Sequence, residues 1–284
     1  MKIPAYYGFW HHLGNWLLKV SSWLVLLFLI LPILVIVPLS FNAEPFFSFT
    51  EGMLTLDPEA YSLRWYREVF NDPKWILAIK NSFFIGILST ILATILGTCA
   101  AVGLARDEMP FRRFITALLL SPMIVPLIIT AAGMFFFYSN LGLAGGYLGV
   151  ILAHAALGTP FVIITVTATL TDFDYSLARA ALNLGATPIR VFFDVIMPLI
   201  RPGVISGALF AFITSFDEVV VILFMAGPQQ RTIPRQMFSG LREQINPSIL
   251  AIATLLILLS IALLVTLELL RRRAERMRGI EIPH

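Results

Sequence analysis

The run FITSFDEVVVILF, residues 212–224, holds two carboxylates, Asp217 and Glu218, inside an otherwise apolar stretch. An acidic group at mid-membrane costs roughly 2.5–3.5 kcal/mol on insertion scales, so a solvated cavity or a paired partner must offset it. If the run is helical, Ser206, Phe210, Thr214, Asp217 and Val221 fall along one strip. Such a strip offers a cation hydroxyls, a carboxylate and an aromatic face. Glu218 lies about 100° around the axis from Asp217, so the spacing sends only one of the two acids into the strip. The alternative is that the acids pair with a basic residue on a neighbouring helix or subunit. Other chemistry is sparse. The single cysteine, Cys99, excludes an intramolecular disulfide. The histidines, His11, His12, His154 and His284, have no metal-ligand spacing, and His154 reads as a hydrogen-bonded helix contact. There is no phosphate-binding G-x4-G-K-[ST] loop, nucleophile elbow or zinc motif, so catalytic work is not expected of this chain.

A bundle of membrane helices would position that strip. Of 284 residues, 58% are hydrophobic and 13% charged, with mean hydropathy +0.86, where soluble domains carry about a quarter charged residues. The net charge of +3 does not point to nucleic acid, because the basic residues cluster at the ends of apolar runs. Six runs can span about 30 Å of hydrocarbon at 1.5 Å per residue: 16–41, 82–105, 115–138, 146–170, 203–226 and 248–270. The expected fold is therefore an all-α membrane protein of six transmembrane helices in a lipid bilayer. The first run is too long for the apolar part of a signal peptide and reads as an uncleaved anchor. The chain divides into 1–80, a core at 81–270 and a basic tail at 271–284.

Lysine and arginine placement sets the expected orientation. One side holds Lys2, Lys19, Arg106, Arg112, Arg113, Arg179, Arg190, Arg201, Arg271, Arg272, Arg273, Arg276 and Arg278. The other holds only Arg64, Arg67, Lys74, Lys80, Arg231, Arg235 and Arg242. The first side is expected to be cytoplasmic, with both termini on it. Externally, SLRWYREVF reads as an amphipathic surface helix. The segments 42–80 and 227–247 are either a solvated cap or a surface that receives a soluble binding protein. Pro122, Pro126 and the Gly158-Thr159-Pro160 step are expected to break or kink their runs.

One cytoplasmic stretch, 171–203, is too rich in signals for a plain loop. Asp172, Asp174 or Ser176 can cap a helix that Gly185 ends. Thr187-Pro188 then starts a second helix, with Ile189, Phe192, Phe193 and Ile196 on one apolar face, and Pro198 and Pro202 are expected to close the unit. Without a partner it would be an interfacial hairpin. The spacing Arg179-Ala180-Ala181, three residues, Gly185, nine residues, Val195, one residue, Met197-Pro198 resembles the EAA loop of bacterial ABC-importer permeases. In that family the loop docks in a groove of the cytoplasmic ATPase and couples nucleotide-driven closure to the membrane helices. The family's leading glutamate is Arg179 here, so the contact at that position must be absent, inverted or replaced.

A narrower resemblance runs through Ser215–Val221 (S-F-D-E-V-V-V), Gly227-Pro228, Ile233-Pro234, Met237–Ser239 and the N-P-x3-A-x-A-T-L of 246–255. These residues look like those of spermidine/putrescine-type permeases, whose relatives also carry opines and aminophosphonates. The permease resemblance covers about 81–268. It implies a type I ABC importer permease fold with a cytoplasmic coupling helix, in a bacterial inner membrane. It also implies two copies of an ATPase that bind ATP and Mg, leaving this chain without a cofactor. A homologous permease subunit and a periplasmic or extracellular binding protein complete the implied assembly. The competing class is an ion-coupled secondary transporter with Asp217 or Glu218 as a relay. A membrane enzyme would need polar residues converging at one depth, and only the fifth run supplies any.

Overall fold

The computed structural model of the chain describes residues 9–106, 108–171, 173–243 and 246–277. Lys2, Asp107, Asp172, Arg278 and the tail beyond 277 lie outside the described residues. Every regular element among the described residues is helical. One compact unit comprises Met1–Asn71 with Ile245–Leu263, the other Asp72–Gln244 with Leu264–His284.

In the first unit, α1 (Phe9–Leu39) is apolar on all sides. It leads into a folded segment that carries α2 (Glu51–Leu54) and α3 (Arg64–Asn71). SLRWYREVF forms the expected amphipathic helix, with Trp65 and Val69 buried. Trp65 Nε1 donates to the Asn42 carbonyl at 2.8 Å, and the Ser40 and Tyr66 hydroxyls meet at 2.7 Å. Asn246 Nδ2 donates to Glu68 Oε1 at 2.6 Å. These bonds satisfy polar groups that the fold removes from water.

The second unit begins with α4 (Pro73–Leu104). Its start follows the usual chemistry: Asp72 accepts from the Lys74 N–H at 2.8 Å and proline takes the first helical position. Then come α5 (Arg112–Ile124), α6 (Leu127–Asn140), α7 (Tyr147–Thr171), α8 (Tyr175–Asn183), α9 (Pro188–Val191), α10 (Met197–Asp217), α11 (Val220–Met225) and α12 (Ile233–Glu243); α13 (Ser248–Met277) belongs to the first unit as far as Leu263. Three of them, α4, α7 and α10, pack directly on one another. Small residues bring their backbones close, as membrane helices without a hydrophobic drive between them require. A Cβ at Gly97 of α4 would fall 2.6 Å from Val162 Cβ of α7, and one at Gly207 of α10 would fall 2.8 Å from Val162 Cα. Neither position has room for a side chain.

Among the described residues, five helices are individually long and apolar enough to cross a bilayer, and a bent pair makes a sixth when counted as one. The six runs are therefore helical as expected, with three corrections beside one break that the prolines foretell. The run 115–138 is broken at Pro126, where α5 and α6 meet at 105°, while Pro122 lies inside α5. Val125 is extended (ψ 135°) ahead of Pro126, the conformation a following proline imposes. Gly158-Thr159-Pro160 does not interrupt its run, since α7 passes through it with Pro160 inside. The fifth run stops at Asp217, and Glu218 is extended (ψ 122°) before α11 begins. Finally, Pro198 and Pro202 do not close a separate short helix. The chain is helical from Pro188 to Asp217, with a π turn at Phe192–Ile196 in which the Met197 N–H reaches the Phe192 carbonyl. Pro198 has no N–H to continue the ladder, and the wider turn just before it absorbs that loss.

Candidate substrate path and docking knuckle

The acid pair sits at the break between α10 and α11, and the break separates the two carboxylates. Asp217 is exposed, whereas Glu218 is 7% exposed. Glu218 accepts from the Val221 N–H at 2.9 Å, which satisfies one of the free donors at the start of α11. Its partner is backbone, not the basic side chain that a paired acid would have had. Along α10, Ser206 and Thr214 are half-buried and Phe210 is 49% exposed. With Asp217 they form an open strip. Val221 does not belong to it: the helix has ended, and Val221 is buried in an apolar cluster with Val150, Ala153, Leu157, Ile222 and Met225. Phe161 of α7 stacks against Phe210, with ring centroids 6.2 Å apart and planes at 20°. This widens the aromatic face beyond what α10 alone supplies. Such a strip can hold a linear cation by a carboxylate and ring faces.

The expected helix contact of His154 is present. Its Nδ1 lies 2.8 Å from Ser215 Oγ, one turn before the break. Asn81 was not singled out by its sequence. Its Nδ2 donates to the carbonyls of Gln229 and Arg231 at 2.7 and 2.8 Å, and its Oδ1 accepts from the Tyr147 hydroxyl at 2.9 Å. The neighbouring Ser82 Oγ accepts from the Ile233 N–H at 2.9 Å. This polar pair latches α4 to the turn before α12. The available signal was an Asn-Ser step set into an otherwise apolar run, on which composition alone confers no role.

The knuckle is built as its capping residues dictate. Asp174 Oδ1 accepts from the Ser176 N–H at 2.8 Å and starts α8. Ser176, by its hydroxyl and its N–H, holds the Asp174 carboxyl below the ordinary aspartate value. At the other end Gly185 takes φ +88°. Its N–H reaches the Leu182 carbonyl and the Ala186 N–H reaches the Ala181 carbonyl, at 2.9 and 3.1 Å, the paired bonds of a Schellman ending. Thr187 Oγ1 accepts from the Arg190 N–H at 3.4 Å. Ala178, Val191 and Ile200 face inward. Arg179, Ala180, Gly185 and Pro198 are exposed, while Ala181 and Val195 are half-buried. The apolar face expected of the second helix is divided: Phe192 and Ile196 are half-buried, and Ile189 (72% exposed) and Phe193 (59%) turn out. With Leu182 and Leu184 they leave an exposed apolar surface beside two cations, Arg179 and Arg190.

Residues 93–276 match the family of binding-protein-dependent transport system inner membrane components. This chain belongs to that family. Among related permeases, a spermidine/putrescine transport system permease protein, PotC of Haemophilus influenzae, is 31% identical over 87% of this chain and 93% of its own length. A putrescine transport system permease protein, PotI of Escherichia coli, is 35% identical over 81% of this chain and 82% of its own. Among solved structures, a chain of a bacterial ABC transporter that imports the acidic polysaccharide alginate superposes with TM-score 0.71 at 16% identity. That match covers 93% of this chain and 99% of the other. The fold is therefore that of an ABC-importer permease, and both relatives are named as transport system permease proteins.

Proposed function

We propose that this permease carries a small linear polycation, a polyamine of the spermidine/putrescine kind, across the bacterial inner membrane by alternating access. The observation that carries the substrate class is the likeness, over more than four-fifths of the chain, to permeases named for spermidine and putrescine. The strip Ser206, Phe210, Thr214 and Asp217 supports it, because it offers a carboxylate and ring faces where a cation would pass. Glu218 then acts as the structural acid of the break and Asp217 as the acid of the path.

In this reading the knuckle, with Arg179, Ala180, Ala181, Gly185, Val195 and Pro198, docks on one of two cytoplasmic ABC ATPase copies. Those ATPases hold ATP and Mg, and this chain holds neither. The exposed apolar residues Leu182, Leu184, Ile189 and Phe193 are what a groove would cover. A groove contact at position 179 is made to a guanidinium, which is the inverse of the family's acid. A homologous permease closes the path from the other side, a soluble binding protein delivers the cargo, and both termini face the cytoplasm with the knuckle.

The test is uptake of labelled putrescine by cells that lack their own polyamine importers and express the full transporter, with unlabelled competitors. Unlabelled spermidine and putrescine are expected to suppress that uptake. No transporter-dependent uptake of labelled putrescine, with uptake of a labelled opine or aminophosphonate in its place, would overturn the substrate class.

A further inference from the structure

We propose that His154 is a positioning residue that selects which carboxylate of the acid pair faces the path. The imidazole is 1% exposed on α7, and its one hydrogen bond among the described residues joins Nδ1 and Ser215 Oγ, 2.8 Å apart. Among the described residues Nε2 has no hydrogen-bond partner. Neighbouring turns of α7 contribute Val150, Ala153 and Leu157 to an apolar cluster. A buried nitrogen left unpaired costs its desolvation, so for packing alone an apolar residue of similar volume would serve better. What the imidazole adds is direction.

Ser215 stands on the last turn of α10, which ends at Asp217. At about 100° per residue, Asp217 lies about 200° around the axis from Ser215, and Glu218 only about 60° short of a full turn from it. Holding Ser215 against α7 therefore turns Asp217 away from the core and keeps Glu218 within it, and the observed exposures agree. A rotation of the last turn by about one residue's angle would bring Glu218 to the direction Asp217 now holds and take Asp217 out of it. Nothing in the spacing of Asp217 and Glu218 prevents that replacement. The bond between His154 and Ser215 opposes it, together with the one Glu218 accepts from the Val221 N–H.

The inference rests on Asp217 lining the path, and its test separates the two ideas. In a Cys99→Ser background, Asp217→Cys and Glu218→Cys are made separately in the complete transporter. Each is labelled with a small water-soluble methanethiosulfonate. With His154 in place, the cysteine at 217 is expected to react at least about tenfold faster than that at 218, the ratio that corresponds to about 1.4 kcal/mol. His154→Leu is expected to bring the two rates within about threefold, a loss of about 0.7 kcal/mol of preference, and Ser215→Ala to do the same. The double variant should do no more, because both remove one interaction. His154→Asn, whose amide can reach the place of Nδ1, should restore the ratio, and it remains informative if the leucine variant folds poorly. A ratio unchanged in both His154→Leu and Ser215→Ala overturns the proposal, whatever the cargo. In the wild-type acid background, His154→Leu should also raise the KM for putrescine about tenfold with little change in maximal rate. A shifted labelling ratio with an unchanged KM would uphold His154 as the pin and remove Asp217 from the path.

Discussion

Asp217→Asn is expected to lower uptake of a polyamine by about 10- to 100-fold while the transporter still assembles. The size follows from the interaction removed. A hydrogen bond to a charged group is worth about 1.5–3 kcal/mol, and each 1.4 kcal/mol is about a factor of ten. Asparagine has nearly the same shape, and Asp217 is exposed at the end of α10, so folding has little at stake. Initial rates of labelled putrescine uptake, with size-exclusion profiles of the purified complex, check it. Glu218→Gln makes a useful contrast. It keeps an oxygen for the Val221 N–H and should leave uptake within about threefold of wild type, because a neutral acceptor weakens the contact without abolishing it. Unchanged uptake in Asp217→Asn would mean that the strip is structural.

The second large effect is expected at the knuckle. Gly185→Val should cut uptake by about tenfold or more while ATP hydrolysis by the complex continues. Gly185 sits at φ +88°, where a Cβ costs about 1–2 kcal/mol and a branched one is a genuine outlier. Nothing lies within 4 Å of the position a Cβ would take, so the penalty is conformational and not a clash inside the subunit. Relieving it would unmake the Schellman bonds and re-aim Leu184 and Thr187, and with them the exposed surface that a partner must receive. Gly185→Asn should retain most of the activity, because asparagine tolerates the left-handed region. Uptake and phosphate release measured in the same proteoliposomes separate uncoupling from loss of assembly. Coupled transport at the wild-type rate in Gly185→Val would remove the coupling role from this loop.

What was legible in the sequence followed from local rules. Asp174, Gly185 and the Thr187-Pro188 step each act within a few residues of themselves, so α8 and the start of α9 appear where their chemistry places them. Apolar length located the membrane runs for the same reason. Where proline was concerned, local rules were not enough. Pro126 ends a helix and turns the chain by 105°, yet Pro160 sits inside an unbroken one. The difference lies in the neighbours: Gly158 is packed against Ala211 and Ala93. Tertiary contact supports α7 as a continuous helix there, and spacing does not report tertiary contact. The strip on α10 was right as far as the helix lasted and wrong at Val221, because the break at Glu218 is stabilised by a carboxylate folding back onto backbone. The partners of Asn81 lie about 150 residues along the chain and were beyond any local pattern.

The most direct test is to reconstitute this permease with its homologous partner, the ATPase and the binding protein, and to follow labelled polyamine into proteoliposomes. Uptake should require ATP and Mg on the ATPase side and should stop when the ATPase is omitted. Accumulation by this chain without the ATPase, driven by an ion gradient alone, would contradict an ATP-driven importer.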